Sequence, residues 1–174
     1  MCVGMRIEEK INAAQDLFKA WREELLRDAK LSNLIEALHQ RASASGEANL
    51  KLGVSEACKR CDEEEGGSCC GAGIEERYTP HLLLINLLLG GTLPMERCYP
   101  DGCHFLGRAG CGLMARDILC INYLCTRIQK LLPHSDLLTL QAGVPFPFIE
   151  PKGRVTEMRR TEICIHNLHG AIAL

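Results

Sequence analysis

Hydrophobic positions along the N-terminal stretch keep a helical beat. Ile7, Ile11, Ala14, Phe18, Trp21 and Leu25 follow one another at spacings of 4, 3, 4, 3 and 4, with charged residues between them. That periodicity predicts an amphipathic helix. Because the stripe is heptad-like, it suits two uses: packing on the chain's own core, or a helical arm for a homodimer or another protein partner. A second helix is predicted from Ser32, whose hydroxyl suits the N-cap, burying Leu34, Ile35 and Leu38. The stretch "ASASGEAN" (42–49) is small and polar and reads as a linker.

From 50 to 77 no period is sustained, and the segment reads as a knuckle of loops. The stretch "YTPHLLLINLLLGG" then predicts a compact helix, with Thr79 as N-cap, Pro80 in the first helical position and glycines as the stop. Residues 92–112 return to turn chemistry through Pro94, Pro100-Asp101-Gly102, Gly107, Gly110 and Gly112. A helix is expected over 113–132, ending before Pro133, and Ser135 or Asp136 is expected to cap one more, closed by Gly143. Three prolines in "VPFPFIEPKGRV" make the tail extended. The fold predicted is mostly α: a helical N-terminal arm packed with an irregular cysteine-rich metal-binding core. Its parts are an arm over 1–49, a core over 50–132 and an extended tail over 133–174 that packs on the core, together one structural domain.

Composition narrows the function classes. Hydrophobic residues at 47% and charged residues at 24% are ordinary for a soluble globular chain. A net charge of −2 points to no nucleic-acid or membrane-surface partner. The opening "MCVGMRIEEK" has no apolar signal region, and the apolar run at 82–89 is too short to span a bilayer. The compartment expected is therefore the reducing cytoplasm.

The unusual feature is cysteine. Eleven are present, nine of them between Cys58 and Cys125, with Cys2 and Cys164 near the ends. An odd count leaves at least one thiol unpaired under any disulfide scheme. In a reducing compartment, clustered thiols are more often metal ligands or redox groups than disulfides. Cys58 and Cys61 form a C-x2-C, and seven residues separate Cys61 from the doublet Cys69-Cys70. Downstream, the intervals Cys103–Cys111, Cys111–Cys120 and Cys120–Cys125 hold seven, eight and four residues. Spacings of two and four recur in thiolate zinc sites and in iron–sulfur ligation. Nearby glycines allow tight turns that aim backbone amides at the sulfurs. Adjacent residues project to opposite sides, so the doublet sends one sulfur to a site and leaves the other buried, reactive or bridging to a second site. Cys120 and Cys125 fit one helix face poorly, so a helix start or break between them is needed if both serve the same metal.

These residues resemble the CxxCxxCC (YkgJ-type) family of zinc- or iron-chelating proteins. The matching parts are "CKRCDEEEGGSCC", "YTPHLLLINLLLG" and "CHFLGRAGCGLMARDILC", in which Cys103, Phe105, Leu106, Gly110, Cys111, Leu113, Arg116 and Cys120 follow the family pattern in order. Two departures are a gap of seven rather than two before the doublet, and Asp117 where the family usually has proline. The resemblance implies a chelating module, and a similar module accompanies flagellin lysine methylases, where it is associated with an iron–sulfur cluster. No glycine-rich nucleotide loop follows a strand here, so methyl transfer is not carried over. The ligand set expected is Cys58, Cys61, Cys69, Cys70, Cys103, Cys111, Cys120 and Cys125, holding an iron–sulfur cluster or zinc.

Other groups weigh less. Cys98 lies outside the pattern. His104 suits a solvent-facing or backbone-bonded imidazole better than a ligand. Cys164, His166 and His169 form a possible second grip of unusual spacing. The acidic run Asp62–Glu65 reads as a solvated loop, and Arg116 as a partner for a cluster's negative charge or for a carboxylate. Two alternatives stay open: a thiol-redox or cysteine-dependent enzyme using Cys61 or the doublet, and a zinc-stabilised adaptor.

Overall fold

A computed structural model describes residues 4–65, 69–108 and 110–142. Helices dominate them: α1 (Ile7–Arg27), α2 (Ala29–Lys51), α3 (Val54–Glu65), α4 (Pro80–Leu88), α5 (Ile118–Asn122), α6 (Thr126–Leu131) and α7 (His134–Ala142). A 3-10 turn over Ile74–Arg77 precedes α4. A short antiparallel hairpin pairs β1 (Leu106–Gly107) with β2 (Gly110–Cys111), Leu106 facing Cys111 and Gly107 facing Gly110. Among the described residues no helix is long and apolar enough to cross a membrane.

The α1 stripe turns inward. Ile7, Ile11 and Ala14 are buried with Leu83 and Leu84 of α4 and with Tyr78, Leu93, Phe105 and Leu113, while Leu17, Phe18 and Leu25 pack against that cluster. Burying such side chains supplies roughly 1.5–3 kcal/mol each, which fixes α1 on α4. Lys10 lies on the same helix yet is buried, because its ammonium donates to the Glu76 carbonyl and carboxylate, each at 2.9 Å. Of the two uses of the stripe, intrachain packing accounts for these positions.

α2 departs from expectation at both ends. It starts at Ala29 rather than Ser32, because Asp28 caps it by accepting the Leu31 amide proton at 2.8 Å. It then runs through "ASASGEAN" instead of ending there. Alanine is the strongest helix former, and Asn49 satisfies its amide locally on the Ser45 carbonyl at 2.7 Å. Ala48 adds packing against Val54, Ala57, Ile128 and Leu140, which offsets the cost of Gly46, about 1 kcal/mol. Leu34, Ile35 and Leu38 are only half-buried. The boundary expected at 49/50 thus lies inside a helix, and the chain reverses at Gly53, whose φ of 71° is a left-handed value that glycine adopts freely.

The segment 50–77 is not a knuckle of loops throughout. α3 occupies its first half, carrying Cys58, Cys61 and the backbone of the acidic run Asp62–Glu65. Val54 and Ala57, three apart on one face, bury against Ile128 and Leu140 and hold that helix down. α4 forms as predicted, with the Leu82 amide donating to the Thr79 hydroxyl at 3.2 Å and Pro80 in the first turn.

The helix expected over 113–132 is divided. α5 begins only at Ile118, and the chain opens at Tyr123 before α6. The segment before α5 is held by Asn86, which is 2% exposed in an otherwise apolar helix. Its side-chain amide donates to the Ala115 carbonyl at 2.8 Å and accepts the Ala115 amide proton at 3.0 Å. At the other end, α7 follows Pro133 directly, whose carbonyl accepts from the Asp136 and Leu137 amides, so Ser135 and Asp136 lie within the helix rather than capping it. The tail is therefore helical over 134–142, and residues 143–174 lie outside the described residues.

Replacing Asn86 by alanine strands the buried amide and carbonyl of Ala115. The expected cost is roughly 2–4 kcal/mol in urea unfolding, with the unfolding slope unchanged.

Candidate metal centre

The centre starts from a backbone pairing. The Cys103 amide donates to the Cys70 carbonyl, Gly71 bridges Gly102 in antiparallel fashion, and the Ala72 amide donates to the Asp101 carbonyl at 2.9 Å. Gly102 is closely packed within its own loop, where a Cβ would meet the Tyr99 Cβ at 3.1 Å and the Leu106 Cδ2 at 3.3 Å. The doublet is thereby brought beside a segment some thirty residues downstream. The hairpin then returns the chain so that Cys111, on β2, comes back toward Cys103.

Two of these sulfurs receive backbone donors. The Phe105 amide donates to the Cys103 sulfur and the Leu113 amide to the Cys111 sulfur, in each case from two residues downstream. Such N–H groups stabilise thiolate. Cys120 is oriented differently. Asp117 caps α5, its carboxylate accepting from the Leu119 amide at 2.9 Å and from Arg77 Nε at 2.8 Å. The Tyr78 hydroxyl lies 3.9 Å from the Cys120 sulfur, to which it donates, and accepts the Asp117 amide proton at 3.2 Å. Tyr78 is itself fixed, 2% exposed and edge-on to Phe105 with ring centroids 5.0 Å apart.

The eight predicted cysteines gather into two neighbourhoods. Cys70, Cys103, Cys111 and Cys120 are all within electrostatic reach of one another, and Cys70 is also within reach of Cys58, which links the two neighbourhoods. Cys58 neighbours Cys61 and Cys125, and Cys69 hydrogen-bonds Cys125 and lies near Cys58. Cys58 and Cys61 come from one face of α3, three residues apart, and Cys125 is the N-cap residue of α6. The helix break between Cys120 and Cys125 sends those two residues to different neighbourhoods.

Burial governs their protonation. It pushes the Cys70 thiol up to about 12 and Cys103 to about 11, reinforced by neighbouring thiols and, at Cys103, by Glu75. Burial likewise raises Cys58, Cys69, Cys111 and Cys120 from 9.0. Arginines oppose it: Arg116 acts on Cys58, Cys111 and Cys120, Arg127 on Cys58 and Arg77 on Cys120. These six thiols are therefore neutral near pH 7, and a metal binding them must displace their protons.

Among the described residues no three His, Cys, Asp or Glu side chains are drawn tightly enough to hold an ion as they stand. The fit to a metal is one of chemistry. The neighbourhoods are rich in sulfur donors, which select zinc or iron–sulfur clusters, and no disulfide joins any of the described cysteines. No family model, curated protein or solved structure matches this chain.

The remaining sequence candidates separate clearly. Cys98 is exposed and in neither neighbourhood. His104 is 3% exposed and its Nε2 bonds the Pro94 carbonyl at 2.9 Å, so the imidazole anchors the backbone. Cys2, Cys164, His166 and His169 lie outside the described residues.

Sequence reasoning missed Tyr78, Glu75 and Arg97. Glu75 is 2% exposed, accepts from the Gly73 amide at 2.9 Å and pairs with Arg97, which also donates to the Gly102 carbonyl. This chain of bonds ties the 3-10 turn to the loop entering Cys103. The one signal available was a tyrosine immediately before the Thr-Pro helix start; nothing marked Glu75 among the chain's other acids.

Burial alone would raise the Glu75 carboxyl, but its backbone hydrogen bonds and Arg97 outweigh burial and lower it from 4.5. A lowered carboxyl contributes stability that is present above 4.5 and lost as pH falls through its folded value. Glu75→Gln should therefore cost roughly 1–3 kcal/mol at neutral pH. The difference from the unmodified protein should shrink as urea unfolding is repeated below pH 4.5.

Proposed function

We propose that this protein binds metal through cysteine thiolates, as an iron–sulfur cluster or as zinc. One observation carries the reading: Cys70, Cys103, Cys111 and Cys120 converge from distant parts of the chain, with amide donors aimed at two of the sulfurs. A buried cysteine that only fills space needs neither convergence nor donors. Arg116, Arg127 and Arg77 offset the negative charge that thiolates bring to a bound ion. The resemblance to the CxxCxxCC family supports the same chemistry, and Asp117, standing in for the family's proline, starts α5 by capping. When bound, an iron–sulfur cluster supplies one-electron chemistry, whereas all-cysteine zinc holds structure.

The thiol-enzyme reading has less support. A nucleophilic cysteine needs a lowered pKa, and burial raises both members of the doublet. The cytoplasm is the compartment proposed, since reduced thiols are what these ligands require. A homodimer through α1 has little to recommend it, because the helix's apolar stripe packs against α4 and its neighbours.

Anaerobic purification with metal analysis and visible absorption tests the proposal. Iron with inorganic sulfide and a brown chromophore is the outcome expected first. A colourless protein with stoichiometric zinc overturns the iron assignment and keeps the thiolate site. A chain free of both metals overturns the proposal.

A further inference from the structure

The Tyr78 hydroxyl has two polar neighbours, and the first determines what the second receives. The Asp117 amide donates to the phenol oxygen at 3.2 Å. That amide is held in place, because the Asp117 carboxylate accepts from the Leu119 amide at 2.9 Å and from Arg77 Nε at 2.8 Å. At neutral pH the phenol keeps one proton of its own to give. The acceptor it reaches is the Cys120 sulfur, 3.9 Å away. Cys111 also lies near the phenol, but the hydroxyl's hydrogen bond is to Cys120. Tyr78 is 2% exposed, so bulk water does not compete for the proton. Nor does the ring swing away. It stands edge-on to Phe105, with ring centroids 5.0 Å apart and planes at 63°, and the Tyr78 amide donates to the Glu75 carbonyl at 3.1 Å. At 3.9 Å the bond is weak on a neutral thiol, and it strengthens when the sulfur carries charge.

We propose that Tyr78 is a positioning residue for Cys120, donating to its sulfur so as to orient it and to temper it as a thiolate ligand. The inference rests on the thiolate reading and adds to it the group that tunes one ligand. It is independent of how many centres the cysteines build and of which thiols share a metal with Cys120. Hydrogen bonds from outside the ligand shell fix a ligand's orientation and tune the metal it holds. A thiolate that accepts a proton donor gives less electron density to a bound ion, so its sulfur-to-metal absorption lies at higher energy. Hydrogen bonds to the sulfurs likewise help to set the reduction potential of an iron–sulfur cluster. Asp117 enters this device at one remove, since its amide occupies the phenol oxygen and leaves the proton to Cys120.

The test has two readouts, the first without metal. In the reduced, metal-free full chain, the Tyr78 hydroxyl proton should give a slowly exchanging NMR resonance with a nuclear Overhauser contact to the Cys120 β-protons. A hydroxyl in free exchange with solvent, or one in contact with Cys111 instead, overturns the inference. This readout needs no variant, so it holds even where a substituted chain does not fold. The stripped chain is then loaded with cobalt(II). Tyr78→Phe, which keeps the ring and removes the hydroxyl, should move the sulfur-to-cobalt band to longer wavelength. In a chain that purifies with an iron–sulfur cluster, the same variant should lower the reduction potential. Thr79→Ala is the control: it removes the α4 cap from the neighbouring residue while leaving the phenol in place. It should lower the urea midpoint and leave the band where it was. A band unmoved in Tyr78→Phe, or moved equally by Thr79→Ala, overturns the inference and leaves the thiolate reading intact. Absence of any sulfur-to-cobalt absorption in the unmodified chain overturns the thiolate reading itself, and the tuning role with it.

Discussion

The arrangement depends on the short backbone pairing that joins residues 70–72 to residues 101–103. Through it the Cys103 amide meets the Cys70 carbonyl, and Gly71 bridges Gly102. The loop it closes contains the 3-10 turn, α4 and the Arg97 segment, and its closure entropy is substantial. Several interactions inside the loop offset that cost. Arg97 donates both to Glu75 and to the Gly102 carbonyl, Lys10 holds Glu76, and α4 buries Leu83 and Leu84 against α1. The N-terminal helix thus serves the cysteine region from a distance: its hydrophobic stripe holds the scaffold on which the pairing forms.

Burial and charge pull in opposite directions around the sulfurs. Taking six of the thiols partly out of water favours their neutral forms. Amides from Phe105 and Leu113, the Tyr78 hydroxyl and three arginines favour the charged forms. The first effect wins in the metal-free chain. A divalent ion reverses it, because the ion is the largest local charge and its ligands ionise on binding. Donors outvoted in the metal-free chain would be the partners of thiolates if an ion displaced the protons.

How much of this was legible in sequence follows from the range of the interactions involved. α1 and α4 were legible because their signals are local: a stripe of fixed period, and a Thr-Pro start with a glycine stop. α3 was not, since its hydrophobic face is two residues, Val54 and Ala57, whose partners Ile128 and Leu140 lie some seventy positions away. The small polar run at 42–49 misled for a related reason: its composition suits a linker, but alanine propensity and the burial of Ala48 keep it helical. The eight cysteines were identifiable by type and spacing, yet their grouping was not. Spacing alone suggested that the doublet divides, and the fold adds what spacing could not: Cys125 lies beside Cys58 and Cys69, far upstream of it.

Asp117 does more than start a helix. A proline there would start α5 by fixing its own φ angle and removing a donor. Asp117 instead accepts the Leu119 amide proton, pairs with Arg77 and gives its own amide proton to Tyr78. Those bonds start the helix and add a link that proline could not make, since proline has no N–H for the Tyr78 hydroxyl to accept. That hydroxyl is then free to turn its own proton toward the Cys120 sulfur. Asp117 thus couples the start of α5 to the tyrosine hydroxyl that donates to the Cys120 sulfur.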